Sequence, residues 1–287
     1  MRQRVITGAF FAVGVAAFVI PSYWVPFLMI VFAAVVGAVC FYEMIKAIGN
    51  GQSEPSNAMM IIGGIIALIL AVVCSCTGMD LAVALALYLL IEGLYVFMCA
   101  IIPSVVRTDG NHIADGLVTG GVVFYLTFPL FCLCVVSTLP ENGWLYMVPA
   151  LAGAWISDTC AYFAGVTLGK HKIVPHISPK KTWEGCVGGA VGCALIVMLY
   201  FDIVVYGADG ISMNIVLFSL LTFVLGFLMS VMSQLGDWTA SLIKRQVGIK
   251  DYGNIFPGHG GMMDRFDSTL FTIPTGVLIA IAASFLT

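Results

Sequence analysis

Long apolar stretches run through this chain from end to end, broken only by short polar segments, and they limit its fold more than any other feature. Of the 287 residues, 61% are hydrophobic and 9% are charged, whereas a soluble domain is usually about 45–50% apolar. Most stretches approach the roughly 20 residues that a helix needs to cross a bilayer. The period-2 alternation that a membrane barrel requires is absent. The sequence therefore predicts an all-α, polytopic integral membrane protein.

About nine transmembrane helices are predicted, all within one membrane domain over residues 1–287. The spans are Val5–Ile20, Val25–Tyr42, Ala58–Cys76, Leu81–Ile102, Leu117–Leu139, Trp144–Gly165, Gly185–Tyr206, Ile211–Met232 and Ser268–Leu286. The domain divides into N-terminal spans in residues 1–140 and C-terminal spans with long polar loops in residues 141–287. The N-terminus resembles a signal peptide, but no convincing cleavage site follows it, so we interpret it as a retained first span.

The positions of the cations predict the orientation of these spans. With the N-terminus inside, all twelve Lys and Arg fall in segments on the inner side, and the outer loops carry only acids such as Asp80, Glu141 and Asp209. The positive-inside rule then predicts a cytoplasmic N-terminus and an external C-terminus. The two long inner loops, residues 166–184 and 233–267, place the expected chemistry at the cytoplasmic membrane boundary.

Small residues inside the spans suit close helix packing. The nine Cys lie almost entirely in apolar stretches, which is neither a disulfide pattern nor a zinc spacing. Gly116-x-x-x-Gly120, Gly185-x-x-x-Gly189 and Gly188-x-x-x-Gly192 allow helices to approach closely and give weak evidence for a homodimer.

Charge is concentrated in one segment, Ser241–Asp267. It holds four of the twelve Lys and Arg and three of the fifteen acids, interleaved with glycine. If the eighth span continues as a helix, Asp237, Ser241, Lys244 and Arg245 share one face of it. Cations and carboxylates beside glycines suit a phosphate and a divalent ion. A solvated helix end with dipole-favoured cations is the alternative for that face.

The second half of this segment suits the binding of Mg²⁺. Asp264 and Asp267 are three residues apart, so one helical turn puts both carboxylates on one face, and with Asp237 they could hold the ion. His259 is either part of the site or a structural hydrogen-bonding group. Zinc is not expected, because no second His or Cys lies at ligand spacing. Four glycines allow the backbone to approach an anion: Gly253, Gly258, Gly260 and Gly261.

The other inner loop contains the run S-P-K-K-T-W-E-G. Ser178 and Pro179 fit an N-cap and a first helical residue. Lys180 and Lys181 would then oppose the helix dipole unless an anion is bound there. A basic patch on anionic lipid is an equally open interpretation.

Three acids lie within or near spans. Asp158, in W-I-S-D-T-C-A-Y-F-A-G, is a functional candidate because an ionisable group inside a membrane is costly. Glu92 has no companion motif, and we interpret it as structural. Asp202 lies near an outer helix end, where we expect it to be solvated.

The charged segment resembles the signature of phosphatidate cytidylyltransferases. The matching residues are Ser241, Lys244-Arg245, Lys250-Asp251, Gly253, Phe256-Pro257, His259-Gly260-Gly261, Asp264-Arg265 and Asp267. The segments S-P-K-K-T-W-E-G and S-D-T-C-A-Y-F-A-G are also similar to family segments, whereas residues 1–140 match only in hydropathy. The family fold is a multi-span helical protein, often dimeric, with a polar cavity open to the cytoplasm and the lipid.

By this resemblance, roles are implied for particular residues. Asp237 and Asp264 would be the metal carboxylates. The implied catalytic residues, several of which would line the phosphate site, are Ser241, Lys244, Arg245, Lys250, Asp251, His259, Arg265 and Asp267. The implied substrate-binding residues are Asp158, Ser178, Lys180 and Lys181.

The implied reaction joins CTP and phosphatidate to give CDP-diacylglycerol and pyrophosphate, a step of phospholipid biosynthesis. The expected cofactor is Mg²⁺, with a second cation left open. The expected partners are CTP, phosphatidate and membrane lipid, with a homodimer left open and no nucleic acid. A bacterial inner membrane is the expected location. Three alternatives remain: a CTP-dependent lipid kinase, which would transfer the γ-phosphoryl group, a transporter, and a purely structural membrane protein.

Overall fold

The computed structural model describes residues 2–49, 54–106, 113–139, 142–174, 178, 181–207, 211 and 213–284. Within these ranges the protein is helical, and the only β-type pairings are two isolated bridges, Lys172 with Thr182 and Phe256 with Gly260. The helices are α1 (Arg2–Val19), α2 (Leu28–Ile48), α3 (Asn57–Thr77), α4 (Leu81–Val106), α5 (Ile113–Ser137), α6 (Gly143–Leu168), α7 (Trp183–Tyr200), α8 (Ile215–Gln246), α9 (Met263–Phe266) and α10 (Thr269–Ser284).

Six of these helices are long and apolar enough to cross a membrane: α2, α3, α4, α5, α7 with its π-helical extension to Val205, and α8. Two shorter apolar helices, Thr7–Tyr23 and Thr269–Ser284, lie near the predicted first and ninth spans. The predicted all-α membrane class is therefore confirmed. The number of nine crossings and the orientation of the chain stay predictions.

The first of two compact units comprises Met1–Thr138 and Lys244–Arg265. Within it α2, α3 and α4 pack on α5. Tyr88 stacks on Phe131 with ring centroids 4.5 Å apart, and its hydroxyl lies 2.7 Å from that of Thr127. Gly116 lies so close to the carbonyl of Cys99 that a Cβ would collide with it. The Gly116-x-x-x-Gly120 motif is therefore used for packing inside the chain.

The second unit comprises Leu139–Ile243 and Phe266–Thr287, and in it α6 packs against α7 and α10. Glycines of α7 face small residues of α6: a Cβ on Gly189 would lie 2.8 Å from that of Ala161, and a Cβ on Gly188 would collide with Ala164. These motifs also serve packing within the chain. They no longer support the predicted homodimer, which stays a prediction, as does the single membrane domain.

The predicted start of α7 is wrong. Its N-cap is Thr182, whose hydroxyl accepts the N–H of Gly185 at 3.2 Å, and the helix begins at Trp183 rather than Pro179. The residues just before it are held extended, because Thr182 forms a bridge with Lys172 and the N–H of Trp183 bonds to His171. Lys181 therefore precedes the cap and is not in the first helical turn, so the dipole argument does not apply to it. Pro179 and Lys180 lie outside the described residues.

Helix α8 continues to Gln246, well past the predicted end at Met232, and so carries the predicted polar face as helix. It stops at Gly248, whose φ of 71° is left-handed. The N–H of Ile249 bonds to the carbonyl of Lys244 at 2.9 Å, and the N–H of Gly248 bonds to that of Arg245 at 3.3 Å. This pair of bonds is the Schellman motif that commonly ends a helix at glycine.

Candidate active site

The loop after α8, residues 247–262, is built around a tight turn. The N–H of Phe256 bonds to the carbonyl of Gly260 at 2.9 Å, and the N–H of His259 bonds back to Phe256 at 2.8 Å. Gly258 and Gly260 have φ of 79° and 82°, a conformation that glycine adopts without strain. The predicted close-turning backbone is therefore present, and it leads directly into α9, which carries Asp264 and Arg265.

Asp264, on α9, is held by three hydrogen bonds. Its Oδ1 accepts from Nζ of Lys244 at 2.7 Å, and its Oδ2 accepts from the N–H groups of Tyr252 and Gly261 at 2.8 and 3.0 Å. The side chains of Asp264 and Lys244 are only 5% and 12% exposed, and the ammonium lies 5.4 Å from the centre of the Tyr252 ring. A buried charge is tolerated when it is paired and hydrogen-bonded in this way.

Glu43, on α2, is an acid in contact with the end of this loop and the start of α9 that the sequence did not single out. Its side chain is buried, and its two carboxylate oxygens accept the N–H groups of Met262 and Met263 at 3.0 and 2.8 Å. These contacts join residues more than 200 positions apart, so no local motif reveals them. The available signal was weak: Glu43 directly follows the predicted span Val25–Tyr42, whereas Asp158 and Glu92 lie inside predicted spans.

Helix α1 covers the turn of the loop. The hydroxyl of Thr7 donates to the carbonyl of Pro257 at 3.2 Å, and Phe11 packs edge-on against Phe256 with centroids 5.4 Å apart. A Cβ on Gly8 would lie 3.8 Å from the imidazole of His259. The half-buried His259 is therefore packed against a helix, and its role stays a prediction.

The remaining predicted residues of the loop differ in exposure. Lys250 and Asp251 are exposed, and so is Arg245 at the end of α8. Arg265 on α9 is partly buried, and its Nε has no hydrogen-bond partner among the described residues. Lys250 and Arg245 can thus reach a soluble anion, whereas Arg265 lies within the packing of the loop.

In the second unit, Asp237 on α8 forms an ion pair with Lys181. These side chains are 31% and 23% exposed, and the ammonium lies 5.6 Å from the centre of the Trp238 ring. Ser241 follows Asp237 by four residues on the same helix face, partly buried. A carboxylate, an ammonium and a hydroxyl are therefore available together to a phosphate ligand.

A buried polar seam lies N-terminal to Asp237 in the same unit. The hydroxyls of Ser157 on α6 and Ser230 on α8 are 2.6 Å apart, and the amide of Gln234 donates to the carbonyl of Cys186 at 3.0 Å. Sequence reasoning missed this seam, although Ser230, Gln234 and Asp237 recur at helical spacing. Its hydrogen bonds join α8 to α6 and to α7 in the two helical turns that precede Asp237.

The other predicted residues of this unit differ in how far they are exposed. Asp158 is exposed on α6, and Asp267 is buried, with its Oδ1 accepting the N–H of Ser268 at 2.7 Å. The carbonyl of Ser178 accepts the N–H of Lys181 at 3.3 Å. Asp267 therefore hydrogen-bonds the backbone of the residue that precedes α10.

The loop before α7 is held by Glu184. Its Oε1 lies 2.6 Å from Nδ1 of His171, and its Oε2 accepts the N–H groups of Lys170 and His171 at 3.1 and 3.2 Å. This acid in the first turn of α7 thereby ties the start of the loop to its end and limits where Lys181 can lie.

The two predicted metal carboxylates each pair with a lysine. In the described ranges no cluster of three or more His, Cys, Asp and Glu residues could hold a metal ion. Mg²⁺ does not need such a cluster, because it is usually bound through one or two carboxylates and takes further ligands from phosphates and water. A carboxylate oxygen is a hard ligand of this kind, so Asp237 and Asp264 each offer a suitable group, and Mg²⁺ stays a prediction.

Comparison with known proteins adds an independent finding. The model of the cytidylyltransferase family matches residues 2–283 of the chain. A protein of Staphylococcus saprophyticus named phosphatidate cytidylyltransferase is 46% identical over 134 residues. Proteins of the same name from Staphylococcus haemolyticus and Staphylococcus aureus are 44% identical over 134 and 137 residues. Each of these matches covers 47% of this chain and 48% of the relative, about half the length of either.

Proposed function

The chain belongs to the cytidylyltransferase family, and on this premise we propose that it converts CTP and phosphatidate to CDP-diacylglycerol and pyrophosphate. The names of the relatives support this choice of substrates. The observation that carries the proposal is the buried pair of Lys244 and Asp264, which backbone amides hold in place at the end of α8. An ion pair fixed in this way suits a phosphate whose charge must be met without rearrangement.

The reaction needs no nucleophile from the protein. An oxygen of the lipid phosphate attacks the α-phosphorus of CTP, a new P–O bond forms, and the bond to the β-phosphate breaks to release pyrophosphate. The obstacle is repulsion between two anions. In the proposed reaction, Lys244 and Lys181 would bind phosphate oxygens, and Ser241 would donate a hydrogen bond to one.

Ligand binding would exchange the partners of the more exposed pair. Lys181 neutralises Asp237, and a phosphate would compete with this carboxylate for the ammonium group, which would free oxygens of Asp237 for a cation. Lys244 would keep its bond to Asp264 and donate its remaining N–H groups to a phosphate. By family resemblance, Asp237 and Asp264 would be the carboxylates for Mg²⁺, which would supply positive charge to the phosphates when bound, and a second cation is left open.

The exposed cations extend this arrangement. Arg245 and Lys250 would gather the triphosphate, because both reach solvent. Catalytic roles for Asp251, His259, Arg265 and Asp267, and substrate contacts for Asp158, Ser178 and Lys180, belong to the proposal by family resemblance.

The proposal includes a location. The chain is an integral membrane protein, and we place it in a bacterial inner membrane with its site facing the cytoplasm. CTP is soluble and phosphatidate is anchored in the leaflet, so a site at the inner boundary is accessible to both.

A labelling experiment tests this function against a lipid kinase. Purified protein is incubated with phosphatidate, Mg²⁺ and CTP labelled at either the α- or the γ-phosphate, and the lipids are separated. A cytidylyltransferase moves the α-label into lipid and releases the γ-label as pyrophosphate. A kinase moves the γ-label into lipid and releases CDP, and that result would overturn the proposal.

A further inference from the structure

We propose that Glu43 is a positioning residue for the reaction: it holds the backbone before α9 so that Asp264 is correctly aimed. The inference rests on the proposed function for its activity readout. The contacts that carry it come from the first compact unit alone, and they can be tested without turnover.

The first observation is the double hydrogen bond of the Glu43 carboxylate. One oxygen accepts the N–H of Met262 and the other accepts the N–H of Met263, at 3.0 and 2.8 Å. Both amides lie at the start of α9, where N–H groups have no partner within the helix. The side chain of Glu43 is buried, so these bonds compensate a desolvated carboxylate.

The second observation is the space that the loop leaves for this carboxylate. A Cβ on Gly253 or on Gly261 would collide with the carboxylate of Glu43. Neither glycine has a positive φ, whereas Gly258 and Gly260 do. Gly253 and Gly261 are therefore glycines because Glu43 occupies the place of a side chain, and the other two are glycines because of their backbone conformation.

The third observation is the division of amides between two acids. The N–H of Gly261 bonds to Asp264, and the next two N–H groups along the chain bond to Glu43. Without the carboxylate of Glu43, the amides of Met262 and Met263 would need new acceptors. Asp264, which already accepts the N–H of Gly261, is an acceptor close to them in the chain. A shift of about 1 Å in a positioned group can cost roughly 100-fold in rate.

The direct test is Glu43→Gln, which keeps the size of the side chain. A glutamine offers one acceptor oxygen, and its NH₂ group faces the second N–H. We expect kcat to fall roughly 10- to 100-fold, the usual effect of removing a partner that orients a ligand-binding group. The KM for phosphatidate should stay within about twofold of wild type, because uniform substrate binding is not changed. The matched control is Glu54→Gln at an exposed position, which should behave as wild type.

Hydrogen exchange provides a readout that does not depend on activity. In wild type, the amides of Met262 and Met263 should be protected, and in Glu43→Gln they should exchange at least about tenfold faster. Peptides from the buried part of α5 should be unchanged in both proteins. Equal exchange at Met262 and Met263 in both proteins, or loss of protection in α5 as well, would overturn the positioning role.

A double-mutant cycle tests the fit of Glu43 against Gly261. Gly261→Ala should lower the unfolding temperature through collision with the carboxylate, and Glu43→Ala should remove most of that additional loss. The control pair, Glu43→Ala with Gly258→Ala, should be additive, because Gly258 is a glycine for its backbone conformation. Additivity in both pairs would overturn the inference.

The two proposals fail in different ways. If the wild-type protein forms no CDP-diacylglycerol, the proposed function fails, whatever the exchange and unfolding data show. If the wild-type protein turns over and Glu43→Gln matches it in kcat, only the positioning role of Glu43 fails.

Discussion

Asp264 and Asp237 are proposed to do the same work, yet the protein holds them in different ways. Asp264 is 5% exposed and accepts from Lys244 and from two backbone amides. Asp237 is 31% exposed and forms an ion pair with Lys181, a residue of a loop. The first carboxylate is fixed by the fold before any ligand arrives, and the second can adjust when one binds.

Because of this difference, removing Asp264 should affect the stability of the fold more than removing Asp237 does, although both should affect activity. Breaking a buried ion pair by removing one partner typically costs about 3–5 kcal/mol, because the other charge stays buried. A solvent-exposed pair contributes about 0–1 kcal/mol because solvent screens it, and the pair of Asp237 and Lys181 is closer to this case than the buried one is. Variants of the two acids should therefore resemble each other in activity and differ in stability.

The largest effect is expected from Asp264→Asn. Activity should fall by at least about 100-fold, since a preorganised electrostatic group is lost, and unfolding should cost roughly 3 kcal/mol less because Lys244 remains buried without its charge partner. The measurements are CDP-diacylglycerol formation and reversible unfolding in detergent micelles, with Glu54→Gln as the control. Near-normal activity at low Mg²⁺ would remove Asp264 from the metal site.

Asp237→Asn should lose a similar factor in activity while leaving unfolding within about 1 kcal/mol of wild type. The same two assays compare it directly with Asp264→Asn. An equal loss of stability in both variants would show that the pair of Asp237 and Lys181 stabilises the fold as much as the buried pair of Asp264 and Lys244 does. The proposed difference between the two regions would then be wrong.

The sequence predicted the framework well because membrane burial is a property of each stretch by itself. An apolar run of 20 residues predicts a helix without any knowledge of its neighbours, and α8 continues past Met232 as its polar face required. The resemblance carried by Ser241–Asp267 also predicted the family that the match over residues 2–283 confirms.

Contacts between distant parts of the chain could not be predicted in this way. Glu43 lies more than 200 residues before the amides that it holds. Spacing alone does not separate Gly258, whose φ demands glycine, from Gly261, whose surroundings do. The start of α7 was missed because Ser178 and Thr182 are both acceptable caps, and the bridge that decides between them involves Lys172.

Lys244 and Lys181 should affect different kinetic constants, just as Asp264 and Asp237 should differ in their effect on stability. Lys244 is fixed, so Lys244→Ala should lower kcat by roughly 100-fold with a smaller change in KM. Lys181 is adjustable, so Lys181→Ala should mainly raise the KM for CTP, by about tenfold, the size expected for one hydrogen bond to a charged group. Steady-state kinetics at saturating Mg²⁺ checks both, and a pure KM effect in Lys244→Ala would reverse the assignment.

The smallest effect is expected at the start of α7. It concerns how the loop that carries Lys181 is held in place. Thr182 caps the helix directly after Lys181, so Thr182→Ala should destabilise the protein by about 1 kcal/mol. Ser178→Ala does not remove a helix cap and should change stability by less than about 0.5 kcal/mol. Because the cap holds the backbone next to Lys181, Thr182→Ala should also raise the KM for CTP severalfold, less than Lys181→Ala does. Thr182→Ser keeps the hydroxyl and should restore both values.

If Thr182→Ala changes stability but not KM, then the position of Lys181 does not depend on the cap. Glu184, which is hydrogen-bonded to His171 in the same loop, would then be the residue that holds Lys181 in place.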